Sequence, residues 1–491
     1  MNNCSLQPLK APRLGKTIDE LLAQGGRMQM AYAWFPEPDG SPELRYIATV
    51  PGQRAFSAWQ VSPGDAAVPS LAGKSPLLGW YEREMMDLSG IRFAGHPEPH
   101  PLVLREGAPS RGNGQDFLKH PPVDGGHHLP IIDAKDIQRL PFGPIRADVV
   151  ESAEFTFFYV GEHILHYQPR LFFKHRGMET CFNGRLPSDA VVVAERVSGV
   201  GTVGHALAFC EAVERAAGCD VPVRARALRV LLAELERLYN HLHYLGHLCS
   251  TTTLKVGEAQ GKLLEERAKQ LNARLTGSRF LRSMLAPGGL RRDLAPDKWL
   301  GEALETLRKE VIAYVDRLEA SESYLDRLIT TGPLPKRVAF DQGATGPVER
   351  ASGLDRDLRR DHPYALYDEL PVTVTTLEEG DAYARERVRI AEIEAAFDLC
   401  QRVLFRLEPG PIRTDCVAPP LSEGLGWSEG PRGSLFYAVH IGGDGTLARV
   451  KIKSPSFSNW RAFPLTVHDS NMMDYAINEA SFGLTIAGCD R

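Results

Sequence analysis

The sequence is short of paired thiols. Its eight cysteines are scattered from Cys4 to Cys489, and no two stand in a CxxC spacing. An iron–sulfur cluster needs several thiolates close together, so none is expected on this chain itself. The scatter also fits no disulfide framework; it fits a reducing compartment, with thiols used as small core residues. Long apolar runs are missing too, and nothing approaches the roughly 18 apolar residues of a spanning helix. The opening MNNCSLQPLKAPRLGK lacks the apolar core of a secretory signal. A formal net charge of −5 leaves no basic excess for nucleic acid. GxxxxGK[ST] does not occur, so a phosphate-cradling P-loop has no motif behind it. HExxH is likewise missing, which removes the usual footing for zinc-hydrolase chemistry.

What is present is a globular composition, 43% hydrophobic and 24% charged, over 491 residues. That length predicts two or more domains. Residues 1–105 read as a small α+β domain, with alternating stretches such as Arg45 to Val50. Residues 106–142 are rich in Gly, Pro and polar residues and read as a linker. Residues 143–491 read as a mainly helical domain with small sheets at its margins. In it, Phe155–Val160 is strand-like. Leucines 228, 231, 235, 238, 242, 245 and 248 recur at three-and-four spacing, predicting a long helix over Arg224–Cys249. A second helix is expected over Ala382–Leu407, stopped by Pro409-Gly410. The stretch Val450 to Lys453 alternates like an exposed strand. The fold class expected is therefore α+β.

Three groups carry chemistry in principle. His243 and His247 lie four apart and could share a metal, but no third ligand stands with them, and polar neighbours on a buried helix explain them as well. Asn240-His241 sits beside Glu234 and Arg237, where an imidazole near neutrality could be proton-linked or simply structural. In FFKHRGMET, His175, Arg176 and Glu179 surround a flexible Gly177, an arrangement suited to an anion, a cluster or a quinone headgroup, or to a salt-bridged corner. Gly430-Pro431-Arg432-Gly433 reads as a turn. The small-residue loop Ser198-Gly199-Val200-Gly201-Thr202 before a helix belongs with none of these; it is tight, yet without acid, base or thiol.

Longer blocks carry a resemblance. GWYEREMMDLSGIRFAGHPEPHPLVL (79–104) resembles the small peripheral-arm subunit of respiratory complex I. GPIRADVVESAEFTFFYVGEHILHYQPRLFFKHRGMET resembles the start of that complex's quinone-site large subunit, and equally of the membrane-bound nickel–iron hydrogenase large subunit. LLAELERLYNHLHYLG, GPVERASGLDRDLRRDHPYALYDEL, GPRGSLFYAVHIGGDGTLARVKIKSPSFSNW and the terminal GCDR continue the match. The fused order looks like formate-hydrogenlyase-type (hydrogenase-4-like) large subunits and fused complex I subunits. The resemblance implies that the second domain has the nickel–iron hydrogenase large-subunit fold.

In hydrogenases of this kind the loop carries a CxxC pair, and a second CxxC precedes the C-terminus, because soft sulfur holds nickel and bridges it to iron. Here the first pair falls on Ser198 and Gly201, the second on Thr485 and Gly488, with Cys489 one place off. The resemblance thus implies no metal bound by this chain and no nickel–iron hydrogenase activity. In complex I the loop carries a quinone-contacting tyrosine, here Gly199, paired with a histidine whose place is taken by Val150. His175, Arg176 and His241 match residues that face the terminal cluster of a neighbouring subunit, and Glu179 matches the motif's acid. The expectation is an NADH:quinone-oxidoreductase-like subunit with His175, Arg176 and His241 in the catalytic role. Glu179, Ser198 and Gly199 would border a cofactor cavity. A partner iron–sulfur small subunit would hold a [4Fe-4S] cluster, quinone would lie nearby, and membrane ion-transporting subunits would complete a complex on the inner face of the cell membrane. The alternative is a non-catalytic scaffold in an ion-transporting complex.

Overall fold

A computed structural model of the chain describes residues 4–36, 40–63, 67–104, 134, 136–145 and 151–491. The N-terminal domain is built on a four-stranded sheet in the order Cys4–Lys10, Phe56–Ser62, Glu43–Thr49, Arg27–Trp34. The first pair is parallel and the rest antiparallel. Helix Ala11–Ala23 turns Leu14, Ile18 and Leu21 inward, the i, i+4, i+7 pattern of a one-sided helix. Helix Leu78–Ser89 follows and ends on Gly90 in the left-handed conformation. Most of the stretch expected as a linker lies outside the described residues. Its last part does not behave as one: Gln138–Phe142 pairs with Glu154–Val160 as an edge strand.

The second domain is dominated by helices. Val223–Thr251 covers 29 residues and Ala382–Arg406 covers 25, each within two residues of the bounds its periodicity predicts. Helix Lys255–Thr276 crosses the first at two glycines; a Cβ on Gly261 would come within 2.5 Å of the Gly246 Cα. Only glycine lets the two backbones approach that closely.

One sheet is central rather than marginal, which corrects the sequence reading. Strands Glu423–Gly430, Gly433–Ile441 and Leu447–Lys453 form an antiparallel sheet whose middle strand is buried along its whole length. Helix Thr202–Ala217 lies against it so closely that Cβ atoms on Gly424 and Gly426 would each fall 2.0 Å from a helix carbonyl. From the N-terminal domain, Trp34 stacks on His440, and Phe56 meets Phe436 and Trp427. A sheet covered on both sides buries polar as well as apolar positions. Lys451 and Lys453, expected on an exposed strand, are accordingly 2% and 0% exposed. The residues of both domains form one continuous apolar core.

Candidate functional site: the elbow and the C-terminal turn

The loop Ser198–Gly201 leads into helix Thr202–Ala217, whose first amides need acceptors. Gly201 at the cap position has no side chain to offer. The acceptor comes from the facing long helix: Glu236 takes the Val203 and Gly204 amides at 2.7 and 2.8 Å. A carboxylate at this helix end also meets the positive end of the helix dipole. Burial nevertheless pushes Glu236 up to about 7 against these two donors. From the next turn of the same long helix, Asn240 donates to the Val200 carbonyl at 2.9 Å and accepts from Arg432 at 2.7 Å. The elbow is thus fixed from the long helix. Gly199 stands at its exposed crest with open space around its Cα.

The C-terminal turn Ile486–Asp490 closes the other side. Glu151 accepts from the Ile486 and Ala487 amides at 2.5 and 3.0 Å. Asp490 accepts from the Lys174 amide at 2.9 Å, and its own carbonyl accepts from His175 Nδ1 at 2.7 Å. Arg176 joins turn to elbow. Its guanidinium donates to the carbonyls of Arg196 and Val197 (3.1 and 2.6 Å) and of Ala487 (3.1 Å).

Between them lies a cavity of about 20 Å³ bordered by Ser198, Gly201, Arg432, Ser456, Thr485 and Gly488. The four positions that the resemblance sets against paired thiols line one space, although the two pairs lie nearly 290 residues apart in the chain. The space has room for about one water molecule. Its polar side chains offer hydroxyls, the Arg432 guanidinium and the single imidazole of His205, whose Nδ1 is bonded to the Tyr437 hydroxyl at 2.7 Å. Cys489 is fully buried and does not border it. Hard hydroxyl oxygens and a cation cannot replace four soft thiolates around nickel and iron, so these residues do not fit such a centre. Among the described residues, no group of three or more His, Cys, Asp or Glu is placed to hold any metal ion.

His175, Arg176 and Ser198 are brought together at the C-terminal turn, and Glu179 reaches only Arg491 beyond it; Gly199, expected at the cofactor cavity, does not border it, and neither does His241. Glu179 is buried with Lys451, Arg449 and Arg491 at 3.0, 3.2 and 3.4 Å, beside Glu84 of the N-terminal domain. Burial alone would raise its carboxyl, but these three cations hold it down to about 2. His241, expected to face a cluster as a proton-linked group, is 1% exposed and bonded to Glu392 at 2.9 Å. Burial drives its pKa down to about 4 in spite of Glu392, so the ring is neutral at pH 7. Val150 lies outside the described residues. His243 bonds Glu265 at 3.0 Å and stacks over His247, a surface arrangement without a third ligand.

Two features escaped the sequence reading. Arg432, taken as part of a turn, is presented to the cavity by a hairpin so tight that a Cβ on Gly433 would lie 2.6 Å from Thr345 Cγ2. Burial and nearby Arg389 push its guanidinium down to about 10. An arginine held between two hairpin glycines was the available signal. The second feature is an interior ionic lattice. Arg237 pairs with Glu234 and Glu392, Arg350 with Glu392 and Glu429, and Arg359 with Glu234 and Asp357, all at 2.7–3.2 Å. Four segments far apart in sequence supply these partners, so no local pattern announces them.

The sheet-backed helices and the loop facing the C-terminal turn define a large-subunit architecture shared by respiratory and hydrogenase complexes. A family model described as respiratory-chain NADH dehydrogenase, 49 Kd subunit, matches residues 263–419 and 413–491. The nickel-dependent hydrogenase model matches residues 176–277, and the respiratory-chain NADH dehydrogenase 30 Kd subunit model matches residues 28–121. Formate hydrogenlyase subunit 5 of Escherichia coli is 31% identical over 84% of this chain and 75% of its own length. The C/D subunit of NADH-quinone oxidoreductase from Acidiphilium cryptum is 28% identical over 88% of this chain and 82% of its own. A chain from the structure of the membrane-bound sulfane sulfur reductase, an archaeal respiratory membrane complex, superposes with a TM-score of 0.69 at 27% identity. It covers 74% of this chain and all of that one. The chain belongs to the family of large subunits that includes formate hydrogenlyase subunit 5 and the fused C/D subunit of NADH-quinone oxidoreductase. It is an oxidoreductase-complex subunit.

Proposed function

We propose that the chain works as a peripheral subunit of a membrane-associated oxidoreductase, resembling NADH:quinone oxidoreductase and hydrogenase-4. It would take part in electron transfer from a [4Fe-4S] cluster of a partner iron–sulfur subunit to a quinone-type acceptor, coupled to ion transport by membrane subunits. Among the described residues no helix is long and apolar enough to cross a membrane, so contact with the membrane would run through those partners. The observation that carries the reading is the pair His175–Arg176. Both are exposed at the seam between elbow and C-terminal turn, and together they put a cation and an imidazole on one surface. A cation beside a cluster favours its reduced form. The thiol-free cavity supports the further reading that the chain is not a nickel–iron hydrogenase.

The test is a redox titration of the partner cluster, followed by electron paramagnetic resonance, in the assembled complex. Arg176→Gln is expected to lower the cluster's midpoint potential. An unchanged potential in an intact complex would refute the electron-transfer role. The scaffold reading has one specific observation behind it: Arg176 already bonds three carbonyls that tie chain segments together. It predicts loss of assembly from Arg176→Gln, with normal potential in whatever complex survives.

A further inference from the structure

A cavity of about 400 Å³ lies where the N-terminal sheet meets the body, and it shares no residue with the elbow cavity. One wall is strand Arg27–Trp34 with the hairpin at residues 49–54; the other is the segment Asp355–His362. Five carboxylates border it, and each is paired with an arginine, Asp355 and Asp361 sharing one. Arg27 holds Glu349 at 3.1 Å, and Arg360 holds Asp355 and Asp361 at 2.7 and 2.8 Å. Arg359 holds Asp357 at 2.7 Å, and Arg350 holds Glu429 at 3.1 Å. The cations do not balance in the same way. Among the described residues, neither Arg54 nor Arg356 has a carboxylate within ion-pair distance. Arg356 reaches one carbonyl, that of Gly25 at 3.3 Å, and lies over the Phe340 ring at 5.2 Å. Burial and the neighbouring Arg27 push its guanidinium down to about 10, only partly offset by Glu349 and Asp361. Arg54 stands exposed at the hairpin, whose position is set by His362 Nδ1 donating to the Arg54 carbonyl at 2.8 Å and by His362 stacking on Phe56.

A half-enclosed guanidinium without a direct ion pair is costly, and an oxyanion offsets that cost with two parallel N–H···O bonds. We propose that this inter-domain cavity binds a small oxyanion of phosphate or carboxylate type, clamped between Arg54 of the N-terminal domain and Arg356 of the body. Its volume is that of a small-ligand site, and domain interfaces are where such sites concentrate. Because the two arginines belong to different domains, the ligand straps them together, and binding raises the thermal midpoint of the whole chain.

The experiment is calorimetric titration of the full chain with pyrophosphate and, separately, with citrate. One saturable site per chain is expected for at least one probe; pyrophosphate alone identifies a phosphate ligand, citrate alone a carboxylate. Arg356→Gln and Arg54→Gln should each weaken binding by about tenfold or more. Arg267→Gln, a surface substitution elsewhere, should leave it unchanged. Arg54 is exposed, so its variant folds, and unfolding without ligand verifies both. No saturation with either probe at about 10 mM, or affinity indifferent to both substitutions, overturns the proposal.

Discussion

At the residue scale, Glu179 shows how a motif acid became a counter-ion. Three cations converge on it in the interior, and it also accepts the Ile452 amide at 3.1 Å. Its folded pKa of about 2 lies below the ordinary 4.5. A depressed acid stabilises the fold above its unfolded value, and that stability is lost as pH falls from about 5 towards 2. The shift corresponds to about 3 kcal/mol. Glu179→Gln should therefore unfold at lower urea than the wild type at pH 7. The difference should shrink as the pH is lowered through that window. A difference that stays constant down to pH 3 would remove the carboxylate charge from the account. His241 teaches the complementary lesson. Its neighbours in sequence were legible, but its pKa is set first by burial and then by the opposing Glu392, 151 positions away, and only the fold reveals either.

At the scale of the element, glycine does the positioning. Strand Glu423–Gly430 carries Gly424 and Gly426 on the face against helix Thr202–Ala217, whose first turn follows the elbow. A Cβ at Gly426 would lie 2.0 Å from the Ala208 carbonyl and 2.4 Å from the Ala212 amide, both rigid backbone. Gly426→Ala must therefore push the helix off the sheet. The expected loss is about 1–3 kcal/mol in equilibrium urea unfolding, and displacement of the elbow should accompany it. An alanine variant as stable as wild type would mean that the helix and sheet can part without strain. The two long helices were readable because their leucine periodicity is local. The central sheet was misread as marginal because its lysines and glycines resemble solvent-facing positions. Lys451 is tolerated inside only because Glu84 and Glu179 meet it at 2.7 and 3.0 Å, partners from other domains and segments. Alternation reports which residues share a face, not what covers that face.

At the scale of the whole molecule, sequence blocks separated by nearly 300 residues return to one place, the elbow and the terminal turn. The resemblance made that convergence legible, while the absence of thiols from the same positions was plain in the sequence itself. The way the two domains are joined was not legible, because its charges are spread over the chain. Glu84, on helix Leu78–Ser89, is 5% exposed and receives Lys451 at 2.7 Å and Arg491 at 3.0 Å. Arg461 adds a bond to the Leu77 carbonyl, and Arg27 pairs with Glu349. These contacts surround an apolar core continuous across both domains, so the wild type should melt in a single calorimetric transition. Glu84→Gln leaves Lys451 and Arg491 to share Glu179 alone. Removing one partner from a buried pair costs about 3–5 kcal/mol because the remaining charges stay desolvated. The variant should melt earlier and in two steps, with the N-terminal domain unfolding ahead of the helical body. A single transition at the wild-type temperature would show that apolar packing alone holds the domains together and that the ionic clasp contributes nothing to their union.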